Sequence, residues 1–243
     1  MTGNKRISLV VPVKNEARII RGFIKRVPDY VDEILIIDNN STDGTANIAK
    51  KCGARVIRER REIRGIGYGY AHQTGEAKAT GDYIVAMDGD DTYPVRSIQT
   101  IIKYMERYSL DMVFCNRLPL TNTRAISWIR QLGIHLLNWE VRLLYGKHVH
   151  DVLTGMWVAR RDAITELSVT SGDWNYSPEI KIAALTNPAL HVGQYHIAHF
   201  AREHEISKQR IFATGVAHAW YIMKRRFTVD NPFILGRLEK ATV

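Results

Sequence analysis

Apolar residues come in two textures along this chain. Short β-branched runs read as buried strands, and stretches that repeat every three or four residues read as helices. Ile7 to Val13 is a continuous β-branched run of the kind a strand buried on both faces needs. Ile20, Phe23, Ile24 and Val27 follow at helical spacing until Pro28 stops them, which leaves Asn15 and Glu16 at a strand-to-helix junction. Glu33 to Asp38 predicts a second strand that empties into Asp38-Asn39-Asn40-Ser41-Thr42-Asp43-Gly44-Thr45. Asn40 or Ser41 is placed to cap the next helix, which runs through Lys51 and ends at Gly53. Arg55 to Arg58 is a short third strand, a helix is expected from near Tyr70 to Thr80, and Tyr83 to Met87 is another buried strand behind a Gly81-Asp82 turn.

The second half continues the pattern. Val95 to Tyr108 carries Ile98, Ile101, Ile102 and Met105 on one helical face, and Met112 to Asn116 is a strand that delivers Arg117. Ala125 to Tyr145 predicts a long helix in which Trp128, Trp139 and leucines alternate with Arg130 and Arg142. Such a stripe suits either ordinary core or a membrane interface. Met156 to Ala159 reads as a strand, Glu179 to Leu185 as a helix, Val192 to Ala201 as alternating strand-like residues and Ile211 to Arg226 as a last helix. The order β-α-β-α-β, with polar residues after each strand, predicts a doubly wound α/β sheet in which ligands collect beyond the carboxyl ends of parallel strands.

Composition narrows the partners. The 243 residues carry a formal net charge of +9, so an anionic partner is expected: a nucleotide, a phosphorylated lipid, an acidic membrane surface or a nucleic acid. Nucleic acid is disfavoured, because no helix-turn-helix, zinc or RNA-recognition signature is present and acids stand at the strand ends. Two cysteines, Cys52 and Cys115, make no disulfide framework and imply a reducing, cytoplasmic compartment. The charged first twenty residues are unlike a signal peptide, and the uncharged stretch Ile211 to Met223 is short for a membrane span, so a soluble or peripheral protein is expected.

The sharpest chemical signal is Asp88-Gly89-Asp90-Asp91 at the end of the strand from Tyr83. In extended backbone Asp88 and Asp90 can turn to one point, and Gly89 lets a ligand approach the chain. Mutual repulsion of the acids calls for a cation, and a hard divalent ion completed by substrate phosphates is one solution, a solvated helix-capping turn the other. Arg58 to Arg64 followed by Gly65-Ile66-Gly67 suits either a solvated face or a pyrophosphate at a helix start. The histidines have no metal-ligand spacing; His148, His150, His196 and His199 read as surface or core residues, with His204 the one of interest.

Taken in order, these motifs resemble the family 2 glycosyltransferases of GT-A fold, and among them the dolichol-phosphate mannose and polyprenyl-phosphate hexose synthases. The resemblance runs from Ile7 to about Lys208: Val11-Pro12-Val13-Lys14-Asn15-Glu16, then Asp38 to Thr45, then Gly81-Asp82 with Asp88-Gly89-Asp90, then Arg117, Arg130, Asn138, Arg142, Asp151 to Gly155, Arg202 and Ser207-Lys208. Asn39 stands where many members carry a second Asp, and Thr92 where mannose synthases carry Gln. The resemblance implies a Rossmann-like, mostly parallel sheet flanked by helices, a GT-A domain over residues 1–208 and a C-terminal helical extension over 209–243. It implies that a nucleotide-diphosphate sugar binds near Pro12, Asn15, Glu16, Asp38 and Asn39, its diphosphate bridged by Mg2+ or Mn2+ to Asp88 and Asp90 around Gly89. Arg117, Arg130, Arg202 and Lys208 would hold phosphates, and a polyprenyl phosphate would accept the hexose with inversion, at the membrane surface or beside a membrane partner protein. Transfer to a sugar hydroxyl is the competing reaction; it needs a carboxylate base, for which Asp151 and Glu179 are the candidates, Asp151 as readily a structural turn and Glu179 a first-turn helix charge.

Overall fold

Over residues 5–122, 125–201 and 211–228, which the computed structural model describes, the strands join in a single sheet. They are β1 (Ile7–Val13), β2 (Glu33–Asp38), β3 (Arg55–Arg58), β4 (Tyr83–Ala86), β5 (Met112–Asn116), β6 (Trp157–Arg160) and β7 (Val192–His196), in the order β3-β2-β1-β4-β6-β5-β7. All neighbours are parallel except β6, which runs against both β4 and β5. The helices are α1 (Ile20–Arg26), α2 (Thr45–Lys51), α3 (Tyr68–Lys78), α4 (Ile98–Arg107), α5 (Trp128–Tyr145), α6 (Arg161–Thr165), α7 (Tyr176–Thr186) and α8 (Ile211–Phe227).

Strand alternation explains the uninterrupted β1 run. Leu9, Val11 and Val13 pack with Phe23 of α1 and Ile98 of α4 on one face, while Val10 joins Ile37, Trp157 and Tyr176 on the other. Each such side chain, fully withdrawn from water, is worth about 1.5–3 kcal/mol. A third cluster, containing Leu137, Val141, Tyr145, Val152, Ile182 and Ile222, joins α5, α7 and α8 away from the sheet.

Local details differ from the sequence reading. Neither Asn40 nor Ser41 caps α2: Gly44 holds the cap position at φ 87°, Asp43 Oδ1 accepts from Thr45 N at 3.0 Å, and Ser41 Oγ accepts from Asn15 N at 2.9 Å. The short helix α6 was too brief to show periodicity. The strand-like stretch from Val192 ends at His196, and α3 starts at Tyr68, two residues early. The expected domain boundary falls among residues 202–210, outside the described ones. Among the described residues, no helix is long and apolar enough to cross a membrane.

Candidate active site

The carboxyl ends of β1, β2, β4 and β5 open onto a cavity of about 880 Å³. Pro12, Asn15, Glu16, Asn39, Gly89 and both Asp88 and Asp90 line it. Asn15 sits at φ 55°, a left-handed conformation that asparagine tolerates, and its Oδ1 accepts from Thr42 N at 2.8 Å, so the β1 and β2 loops are locked together. Asn39 spends its amide N–H groups on the carbonyls of Glu59 (3.2 Å) and Arg61 (3.4 Å). The start of α3 presses against it so closely that a Cβ on Gly67 would lie 2.3 Å from Asn39 Nδ2. Asp38 does not line the cavity; it is fully buried behind the wall, accepting from Ser41 N at 3.3 Å, with Arg58 Nε at 3.8 Å.

The basic run does not point its guanidinium groups into the site as one body. Arg61 pairs with Glu59 at 2.7 Å and lies over the Tyr70 ring, Lys14 pairs with Glu62 at 2.6 Å, and it is Gly65, Ile66 and Gly67 that reach the cavity wall. The repulsion among the three acids is resolved by division. Asp91 turns outward to Arg26, Asp90 Oδ1 accepts from Thr92 Oγ1 (2.7 Å) and N (3.2 Å), and Asp88 Oδ1 accepts from the Tyr68 hydroxyl at 2.9 Å. Two carboxylates and a threonine hydroxyl on one cavity wall form an all-oxygen donor set, which fits a hard divalent cation. Among the described residues no group of three or more His, Cys, Asp or Glu could hold a metal. His199 is buried beside the Tyr93 ring, and His204 lies outside the described residues.

Arg117, at the end of β5, lines the same cavity, and Asp151 grips it from behind: Nε reaches Oδ2 at 2.6 Å and Nη2 reaches Oδ1 at 2.9 Å. Asp151 is 1% exposed and does not line the cavity. Burial pulls its pKa up, but the charge and hydrogen bonds of Arg117 outweigh that and leave it lowered. Next to this pair Lys181 is wholly buried, donating to Thr154 O at 2.7 Å and Ser177 O at 3.2 Å, and burial brings its pKa down to about 7. Asn138 ties α5 to the same turn through His150 O (2.7 Å) and Val152 N (2.9 Å).

Beyond Arg117 the cavity wall becomes apolar, with Ile129, Gly133 and Leu136 of α5 facing Phe212 and Val216 of α8, and Arg130 among them. On the outside of the same two helices Trp128 is 72% exposed and Trp220 62%. Glu179, read as a helix charge or a base, is buried; it accepts from Thr170 N (3.2 Å), Ser171 N (2.7 Å) and Arg225 Nη1 (2.9 Å), which anchors α8. Arg202 and Lys208 lie outside the described residues, and Arg142 is exposed away from the cavity. Tyr68 and Lys181 escaped the sequence reading. The glycines around Tyr68 and the single charge inside the apolar Ile180-Lys181-Ile182 run were the signals available.

The family model described as glycosyl transferase family 2 matches residues 8–168. An uncharacterized glycosyltransferase of Mycobacterium bovis is 29% identical over 178 residues, 73% of this chain and 78% of the relative. A dolichyl-phosphate hexose transferase of Haloferax volcanii is 26% identical over 224 residues, 90% of this chain and 92% of that one. Among solved structures, glucosyl-3-phosphoglycerate synthase from Mycobacterium tuberculosis with uridine diphosphate aligns at a TM-score of 0.67 and 22% identity, over 90% of this chain and 78% of that one. The same enzyme with Mn2+, uridine diphosphate and glucosyl-3-phosphoglycerate aligns at 0.63 and 23%, over 90% and 77%.

Proposed function

We propose that this chain, which belongs to glycosyl transferase family 2, moves a hexose from a nucleotide-diphosphate sugar to a polyprenyl phosphate. It is a glycosyltransferase of GT-A fold. The observation that carries the finer reading is one continuous cavity with acids at one end, Arg117 and Arg130 in the middle and the apolar faces of α5 and α8 beyond. A dolichyl-phosphate hexose transferase among the relatives supports the same acceptor class.

In this reading the nucleotide lies against Pro12, Asn15, Glu16 and Asn39, and Asp88 and Asp90 hold Mg2+ or Mn2+. A bound cation supplies electrostatic stabilisation to the departing diphosphate. Gly65, Ile66 and Gly67, ahead of α3, line the same end of the cavity, with the Ile66 N–H spent on Ile63 O at 3.0 Å. A lipid monophosphate, with a second pKa of about 6, is already a dianion at neutral pH and needs no base. It needs cations. Asp151 occupies Nε and one Nη2 proton of Arg117, leaving three of five guanidinium N–H groups for a phosphate, and it fixes the plane in which they point. Asp151 itself is sealed off and held ionised by its partner, so it is a poor base for a hydroxyl acceptor.

Peripheral attachment at the cytoplasmic membrane face completes the proposal, since exposed Trp128, Trp139, Trp220 and Phe212 share α5 and α8 with the basic Lys224 to Arg226. The test is a donor screen with uridine, guanosine and thymidine diphosphate sugars, with and without a short polyprenyl phosphate. Transfer to the lipid phosphate is expected. Transfer only to a free sugar would establish the hydroxyl-acceptor reaction instead, and binding of RNA with no binding of any nucleotide sugar would overturn both.

A further inference from the structure

The first residue of α3 hangs over the acidic strand end. The Tyr68 hydroxyl donates to Asp88 Oδ1 at 2.9 Å. Its ring is fixed from several sides. Trp174 tilts against it at 4.7 Å between centroids, His72 meets it edge-on at 4.6 Å and Tyr176 edge-on at 6.3 Å. The helix start is pinned as well, because Gly172 O accepts from Gly69 N at 3.0 Å and from Tyr70 N at 3.3 Å. Gly155 packs against both partners of this hydrogen bond: a Cβ there would lie 2.7 and 2.9 Å from the two Asp88 oxygens and 2.9 Å from the Tyr68 hydroxyl.

We infer that Tyr68 is a positioning residue for the cation site: its hydrogen bond to Oδ1 fixes the orientation in which the Asp88 carboxylate meets a divalent cation and so sets the metal affinity. The inference rests on the reading of Asp88 and Asp90 as the cation's ligands. Hydrogen bonds to a ligating carboxylate from outside the metal shell typically change affinity about 10- to 100-fold, because a carboxylate free to rotate must be reordered when the ion binds.

The experiment titrates Mn2+ into the full chain in the presence of uridine diphosphate, following free Mn2+ by electron paramagnetic resonance. Tyr68→Phe should weaken Mn2+ binding about tenfold, which is 1.4 kcal/mol, while binding of uridine diphosphate without metal stays as in the unaltered chain. A merely structural role would lower both together, and that result, or an unchanged or tighter Mn2+ affinity, overturns the inference. Gly155→Ala would crowd the Tyr68 hydroxyl and both Asp88 oxygens at once and should also weaken Mn2+; unaltered affinity there is equally fatal. Asp90→Ala is the reference. If the unaltered chain binds Mn2+ no better than Asp90→Ala, the metal reading itself fails and the role of Tyr68 falls with it.

Discussion

Asp151→Asn separates a carboxylate that aims an arginine from one that removes a proton. In the native pair Arg117 Nε and Nη2 meet the two Asp151 oxygens at 2.6 and 2.9 Å, with side-chain exposures of 12% and 0%. The substitution turns one acceptor into an NH2 group facing a guanidinium N–H and leaves that buried cation without its counter-charge. Lys181, whose ammonium Asp151 also favours, is left worse off too. Breaking a buried pair costs about 3–5 kcal/mol, and because the amide keeps one acceptor we take about 3 kcal/mol. At roughly 2–4 °C per kcal/mol for a chain of this size, the melting temperature should fall by about 6–12 °C. The assay is thermal unfolding alongside transfer kinetics with the acceptor varied, where a misaimed Arg117 should raise the acceptor KM. Arg117→Met with Asp151→Leu removes both charges and should recover most of the stability but none of the transfer. An Asp151→Asn variant that melts like the unaltered chain, yet loses about 10²–10⁴-fold in turnover as a missing general base would, refutes the reasoning.

Asp90→Ala should abolish transfer while the far-ultraviolet circular dichroism is preserved, and turnover that persists in excess chelator would count against a metal at Asp88 and Asp90. Trp128→Ser combined with Trp220→Ser should sharply reduce sedimentation with anionic liposomes at low salt, since each indole buried in the interface is worth on the order of 2 kcal/mol. Failure of the unaltered chain to sediment removes the membrane proposal. Urea unfolding should show stability declining in acid. Arg61 hydrogen bonds bring the Glu59 pKa down to about 2, and Arg117 leaves that of Asp151 lowered. Because the unfolded chain then binds more protons, both contributions are complete above about pH 4.5 and vanish as pH falls through the folded pKa values. A urea midpoint that is flat from pH 5 to pH 3 would contradict this.

The first half of the fold was legible because its strands sit between two helical layers, and a strand such as Ile7–Val13 that is buried on both faces writes an unbroken apolar run. Strand direction leaves no such mark. A period of two is the same read either way, so the reversed pairing of β6 was invisible. The α2 cap was misjudged because Ser41 Oγ found a partner 26 residues earlier, in Asn15, and a local rule cannot weigh that competitor. Asp88 and Asp90 were readable as neighbours in one turn. Asp151 was ambiguous because its meaning lies in Arg117, 34 residues away, and Glu179 because its partner Arg225 is 46 residues on.

The reversal of β6 changes what α5 has to do. Parallel neighbours need a linker that crosses a whole sheet face, and the linking helix is thereby committed to covering that face. Between β5 and β6 the chain leaves and re-enters at one rim, beside Phe114 and Trp157, so the excursion carrying α5 owes nothing to sheet packing and is held by α7 and α8 instead. Its outward residues are therefore free to vary with whatever molecule receives the sugar, and grafting this excursion together with α8 from a relative should retune acceptor choice while the nucleotide half stays as it is.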